Sequence, residues 1–143
     1  TDVPPVLRSG AIRAADIQAA VADLHRHQPL RSRTGAVHGA AWVCGGKIVR
    51  LFEDVGRHNA LDKLLGHGAQ AGMDWQQGFV LISSRASYEM VAKAAMLGIG
   101  CVVAVSAPTA LAARLAEQAG ITLVGFARPG QCSIYSQPQW VAY

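Results

Sequence analysis

Three features of the sequence predict an α/β fold: a Gly45-Gly46 pair between two apolar stretches, strand-like runs alternating with helix-like runs from Phe79 onward, and glycines that close the helical runs after the hairpin. Together they read as a β-hairpin followed by strand–helix units, with a mixed sheet in a single domain over residues 1–143. The length suffices for one full core, and 51% hydrophobic against 15% charged residues is the balance of a globular chain. The apolar runs break well before the roughly 18 residues of a membrane span, and no basic segment precedes an apolar core at the N-terminus. Cys44, Cys101 and Cys132 form no C-x-x-C pair and are too scattered for a disulfide framework, which fits a reducing compartment. The chain therefore reads as soluble, cytoplasmic and not membrane-bound.

The elements follow in order. Ile17, Ala20, Val21 and Leu24 recur at helical spacing within "AADIQAAVADLHRH", predicting a helix over about residues 13–27 that Pro29 stops. The hairpin places strands near residues 36–44 and 47–53. Leu61, Leu64 and Leu65 mark the next helix, with Gly66, Gly68 and Gly72 at its end. "FVLIS", "CVVAVS" and "ITLVGF" are strands. The helices "YEMVAKAAML" and "ALAARLAEQA" separate them and close at Gly98 and Gly120, and "SIYS" is a last short strand.

In such a sheet ligands settle beyond the carboxyl ends of the strands, where loops and helix N-termini offer free N–H groups. There the sequence collects its polar residues: Glu53, Asp54, Gly56, Arg57, His58 and Asn59 in "EDVGRHNALDK", Ser83, Ser84, Arg85 and Ser87 after "FVLI", Ser106, Pro108 and Thr109 after "CVVAV", and Arg128, Pro129, Gly130 and Gln131 after "ITLVGF". All four sets can share one crevice. Taken singly, Ser87 and Thr109 are helix caps, and Asp62 and Glu89 complement helix dipoles. Arg57, Arg85 and Arg128 point elsewhere, because a cation at the positive end of a helix is unfavourable unless an anion offsets it. Pairing of Arg57 or Arg85 with Glu53, Asp54 or Glu89 is the structural alternative.

The net charge of +4 rests on ten arginines against three lysines, a balance suited to phosphate. Aromatic residues are only 6% and do not interleave with basic ones, which argues against a nucleic acid polymer. His38 and His58 each fit a ligand, a base or a satisfied core histidine. No C-x-x-C or H-x-x-x-H supports a metal site, no G-x-S-x-G elbow supports a Ser83–His58–Asp54 hydrolase, and neither glycine-rich nucleotide fingerprint is present.

Five stretches in order, "TGAVHGAA", "EDVGRHNALDK", "SSRASYEMVAKAA", "SAPTALAARLAE" and "GFARPGQCSIYS", resemble the C-terminal part of the formate dehydrogenase accessory sulfurtransferases, the FdhD/NarQ family, over about residues 30–138. The resemblance implies a cytidine-deaminase-like three-layer core. It also implies a sulfur carrier that takes persulfide sulfur from a cysteine desulfurase on a C-x-x-C loop and delivers it to the molybdenum cofactor, in its bis-guanine dinucleotide form, for formate dehydrogenase. GDP or GTP would mimic that cofactor. By resemblance the cofactor-binding stretch falls on Phe126, Ala127, Arg128, Pro129, Gly130 and Gln131. Arg57 is then expected on phosphate, Asn59 and Asp62 on ligand or a neighbouring loop, and Glu53 and Asp54 orienting Arg57 and Arg85. His58 would assist proton movement, and Ser83, Arg85, Ser106 and Thr109 would complete the crevice.

Ala36 and Ser84 stand where the family usually has glycine. The family's C-x-x-C precedes the matched part and is absent here, so no catalytic residue is assigned within the chain and the nucleophilic cysteine is expected upstream of Thr1. The expectation is a C-terminal fragment with the binding crevice and without the nucleophile, its three cysteines being inert thiols in or beside strands. A nucleotide-binding chaperone that presents the cofactor without sulfur chemistry is the alternative. Cytidine deamination lacks its H-x-E and P-C-x-x-C zinc signature. Trp140 and Tyr143 suit a homodimer contact and a core position equally.

Overall fold

A computed structural model describes residues 11–27, 37–128 and 130–143. The sequence-derived positions Thr1, Pro29, Ala36 and Pro129 lie outside these residues, and with Thr1 so does the expected junction to an upstream C-x-x-C loop. A two-residue strand β1 (Ile12–Arg13) leads into helix α1 (Ala14–His27), which buries the predicted Ile17, Ala20, Val21 and Leu24. The hairpin is β2 (His38–Cys44) and β3 (Lys47–Asp54), turning at Gly45 and Gly46, both with positive φ. Helix α2 (Arg57–Ala71) follows. Then come β4 (Phe79–Ile82), α3 (Tyr88–Met96), β5 (Cys101–Ala104), α4 (Ala110–Ala119), β6 (Thr122–Arg128) and β7 (Gln131–Ser136). A short 3-10 turn (Pro138–Trp140) ends in β8 (Val141–Ala142), which pairs in parallel with β1.

The main sheet has the order β3-β2-β4-β5-β6-β7. Strands β4, β5 and β6 are parallel, while β2 runs antiparallel to both β3 and β4, and β7 antiparallel to β6. The sheet is mixed, as expected, because a hairpin borders the parallel units at each end. Its two faces carry separate cores. Ala40, Trp42, Val80, Ile82, Val102 and Leu123 pack against α2, α3 and α4, and Ala41, Val43, Phe79, Leu81, Val103 and Val124 against α1. Period-two alternation along β2 decides which residue faces which layer.

Three boundaries differ from the sequence reading. Helix α2 runs through Gly66 and Gly68 and closes only at Gly72, whose φ is 66°. Gly68 tolerates the helix interior because Trp75 lies across it; a Cβ there would sit 2.2 Å from the indole. Trp75 in turn meets Trp42 edge-on at 4.9 Å, so an aromatic contact from another element overrides the local glycine signal. Strand β6 extends beyond Phe126 to Arg128, and Ala127, Arg128 and Gln131, expected in a free loop, lie in the paired strands of β6 and β7 instead. The β1–β8 pair has no sequence signal, since two-residue strands lack a period to read.

Candidate functional site

The strand directions fix where the polar residues meet. Because β2 is antiparallel to both neighbours, β3 runs the same way as β4, β5 and β6, and the carboxyl ends of all four lie on one edge of the sheet. Helices α2, α3 and α4 all begin there. This edge is the mouth. The fixed ladder continues into it: Val105 N–H donates to Ile82 C=O at 3.0 Å, Thr109 N–H to Ala86 C=O at 3.0 Å, and Phe126 N–H to Ser106 C=O at 3.2 Å.

"EDVGRHNALDK" divides into the last two residues of β3, a turn, and the start of α2. Arg57, His58 and Asn59 therefore occupy the first helical turn and not a loop. Gly56 is the N-cap and supplies no side chain; Asp54 substitutes from two residues upstream, accepting from Gly56 N–H at 2.9 Å. Lys63 pairs with Asp54 at 2.7 Å and also donates to Glu53 C=O, and Asn59 Nδ2 reaches Asp54 at 3.5 Å. The Lys63 ammonium, with the Gly56 amide, holds the Asp54 carboxyl down at about 2, against the opposing effect of burial. This corrects the expected arrangement, in which Asp54 orients Arg57 and Arg85: the nearer cation, one helical stretch along at Lys63, has taken the carboxylate.

The guanidinium groups of Arg57, Arg85 and Arg128 are exposed and make no hydrogen bond or ion pair among the described residues. Arg57 opens α2, whose first turn holds no acidic residue, and α4 likewise has none. The alternative reading, internal pairing with Glu53, Asp54 or Glu89, is not realised for Arg57 or Arg85.

The remaining residues split into supports and exposed groups. Ser83 is 2% exposed and accepts from Gly39 N–H at 2.7 Å, while Ser83 N–H donates to Gly39 C=O at 3.0 Å. Ser87 and Thr109 cap α3 and α4 by accepting from Met90 and Ala112 N–H. Asp62 pairs with Lys93 at 2.7 Å, tying α2 to α3. Ala127 is buried against the α1 layer, and Gly130 N–H donates to Gln18 Oε1 of α1. His58 and Ser106 are half-buried, and Gln131 is exposed opposite Arg128 in the hairpin. Phe126 has a φ of 50° and remains 39% exposed.

Sequence reasoning passes over Lys63 and does not place His38. The Nδ1 atom of His38 is buried with no hydrogen-bond partner among the described residues, so the role of a satisfied core histidine does not describe it. A groove of about 360 Å³ lined by Val37, Glu53, Asp54, Val55 and Lys63 opens beside it. The cysteines also differ from one another. Cys101 is buried, Cys132 is half-buried with burial pushing its thiol up, and Cys44, expected as an inert buried thiol, is exposed at the far end of β2. Among the described residues no group of three or more His, Cys, Asp or Glu side chains could hold a metal ion, and no helix is long and apolar enough to cross a membrane.

Fold and site together define a mixed α/β protein whose parallel strands end in an arginine-bearing edge. The chain belongs to the FdhD/NarQ family, whose model matches residues 2–142. It is 54% identical over 139 residues to the sulfur carrier protein FdhD of Xanthomonas campestris pv. campestris (strain B100), covering 96% of this chain and 50% of that protein. The sulfur carrier protein FdhD of Cupriavidus necator is 55% identical, with 96% and 48% covered. A crystal structure of a protein described as a putative formate dehydrogenase accessory protein from Desulfotalea psychrophila superposes with a TM-score of 0.90 at 29% identity, covering 99% of this chain and 59% of that one. The chain spans about half the length of the curated relatives it matches.

Proposed function

We propose that this chain is the cofactor-binding half of a cytoplasmic sulfur carrier protein. In the whole protein, persulfide sulfur passes from a cysteine desulfurase to the molybdenum bis(molybdopterin guanine dinucleotide) destined for formate dehydrogenase. The observation that carries the reading is the set of arginines without partners among the described residues, Arg57, Arg85 and Arg128, at the edge where three helices begin. Arg57 and Arg85, at or just before helix starts, and Arg128, at the end of β6, together suit a ligand with several phosphates, and the guanine dinucleotide has two pyrophosphates. Phe126, Arg128 and Gln131, with Asn59, His58, Ser106 and the capped starts of α3 and α4, belong to the same edge. Supporting the wider role are the names of the relatives. The two-sided sheet, with α1 on one face and three helices on the other, is consistent with a cytidine-deaminase-like three-layer core.

Sulfur transfer needs a thiolate that attacks the terminal sulfur of the desulfurase persulfide, forming a new S–S bond as the desulfurase thiolate leaves. None of the three thiols suits that step at the mouth: Cys44 lies at the opposite edge, Cys101 is buried, and Cys132 is on the α1 face with its thiol pushed up. In this reading the sulfur-bearing C-x-x-C loop is supplied from outside this chain. This distribution of thiols also favours the second reading, a chaperone that presents the cofactor without chemistry of its own.

Calorimetric titration with GDP tests the binding half. Binding should weaken with salt, and Arg128→Ala should cost about 1.5–3 kcal/mol if a charge-assisted bond is lost. No binding at millimolar GDP, or an unaffected variant, overturns the assignment. Intact mass after incubation with a desulfurase and cysteine tests the division of labour. This chain should gain no reductant-labile adduct, whereas a longer chain carrying the C-x-x-C loop should gain about 32 Da, one sulfur. Absence of the adduct from both chains would favour the chaperone.

A further inference from the structure

The mouth carries one feature that arginines do not explain. Phe126 and Tyr135 are 39% and 40% exposed, and their rings stand 6.5 Å apart at 37°, splayed and not stacked face to face. Both are held in place by unusual backbone. Phe126 has a positive φ, which a bulky L-residue adopts only when its surroundings impose it. Tyr135 is the extra residue between the Val124–Ile134 and Leu123–Ser136 pairs. Against the Tyr135 ring lies Gly125, where a Cβ would stand 2.6 Å from Pro108 Cδ and 2.8 Å from Tyr135 Cε2. Only a residue without a side chain lets Pro108 and Tyr135 lie over the backbone together.

We propose that Phe126 and Tyr135 form the platform for the base of a purine nucleotide, with Tyr135 as a base-stacking residue outside the Phe126–Gln131 stretch. The inference rests on the reading of the mouth as a guanine-nucleotide site and says where the base lies. Charge selects this occupant over an apolar peptide. Arg128, unpaired among the described residues, is two positions beyond Phe126, and Thr109 opens α4 immediately after Pro108. A planar ring beside a cation and a helix N-terminus matches a molecule with a π-face at one end and phosphates at the other. Base stacking is tolerant of sequence and needs only the face of an aromatic ring.

The test titrates GDP and inorganic pyrophosphate into the chain and into Tyr135→Leu, Tyr135→Phe and Gly125→Ala, with circular dichroism confirming that each variant is folded. Tyr135→Leu and Gly125→Ala should each weaken GDP about tenfold, the order expected for loss of one stacking contact, and leave pyrophosphate unchanged. Tyr135→Phe should bind GDP as the parent does. On the unmutated chain, GDP should also move the Tyr135 ring-proton resonances where pyrophosphate does not, a readout that survives a variant's failure to fold. GDP bound no better than pyrophosphate, or resonances indifferent to GDP, overturns the platform while leaving the anion site intact. Failure of both ligands to bind overturns the anion site and the platform with it.

Discussion

The two edges of the sheet are built on opposite terms. At the far edge, away from the mouth, glycines close the turns, Gly45 and Gly46 in the β2–β3 hairpin and Gly72 and Gly120 as left-handed ends of α2 and α4, and Gln137, a non-glycine with a φ of 48° just beyond β7, is held by its N–H donating to Glu117 Oε2 and its side-chain amide donating to Glu117 C=O. At the mouth a phenylalanine holds a positive φ, three arginines lack partners among the described residues, and His38 Nδ1 is buried without a hydrogen bond among them. One edge has its conformational demands met internally. The other leaves them open, and open demands are what a ligand satisfies.

Substitutions can push on each edge separately. The largest effect is expected at Gly78, near the far edge, where φ is 139° and a Cβ would lie 2.1 Å from Val43 C=O. Gly78→Ala should cost about 2–4 kcal/mol in urea unfolding through strain and overlap, while the fraction still folded binds GDP normally. A loss of GDP affinity in that folded fraction would show that the edges are not independent. Next, Thr109→Ala removes the cap on α4 and should cost about 1 kcal/mol, with Thr109→Ser restoring it, since the hydroxyl is what accepts from Ala112 N–H. If Thr109→Ala instead leaves stability unchanged and abolishes GDP binding, the hydroxyl serves the ligand and not the helix.

A smaller effect of opposite sign is expected at Arg57. Removing a cation without a partner from the start of α2 should raise stability by about 0.3–1 kcal/mol while weakening pyrophosphate binding. A destabilised Arg57→Gln would mean the guanidinium has an internal role. The smallest effect concerns acid. The Asp54 carboxyl is held at about 2 against a normal 3.8, so its contribution is present above about pH 4 and is lost as pH falls toward 2. Asp54→Asn should lack that contribution at neutral pH and flatten the stability curve between pH 4 and 2; identical curves would show that Lys63 and Gly56 do not favour the ionised form.

Legibility in the sequence follows the same division. The far edge is readable because its signals are local: a glycine pair for a hairpin, glycine after a helical run, alternation for strands. The caps Ser87 and Thr109 are readable for that reason too. What the sequence hides depends on residues distant in the chain. Trp75 covers Gly68 inside α2, Lys63 takes Asp54 from the arginines, and the bulges around Gly125 and Tyr135 emerge only when β6 meets β7. The helical start at Arg57 is hidden because its N-cap is Gly56, with the capping carboxylate displaced to Asp54. Neighbouring arginines in a motif announce a site, but which charges remain free is decided by the fold.

The paired hydrogen bonds between Gly39 and Ser83 also set a distance. They fasten β2 to β4 at the rim itself, joining the hairpin half of the sheet that bears Arg57 to the parallel half that bears Arg85 and Arg128. With that seam closed, the backbone origins of the cations are set by strand spacing. From β3 to β6 there are four strand steps, about 19 Å at roughly 4.8 Å each. The mouth is thus a ruler as much as a pocket: a lone phosphate would meet one end of the scale, and an elongated molecule with two separated anionic groups would span it.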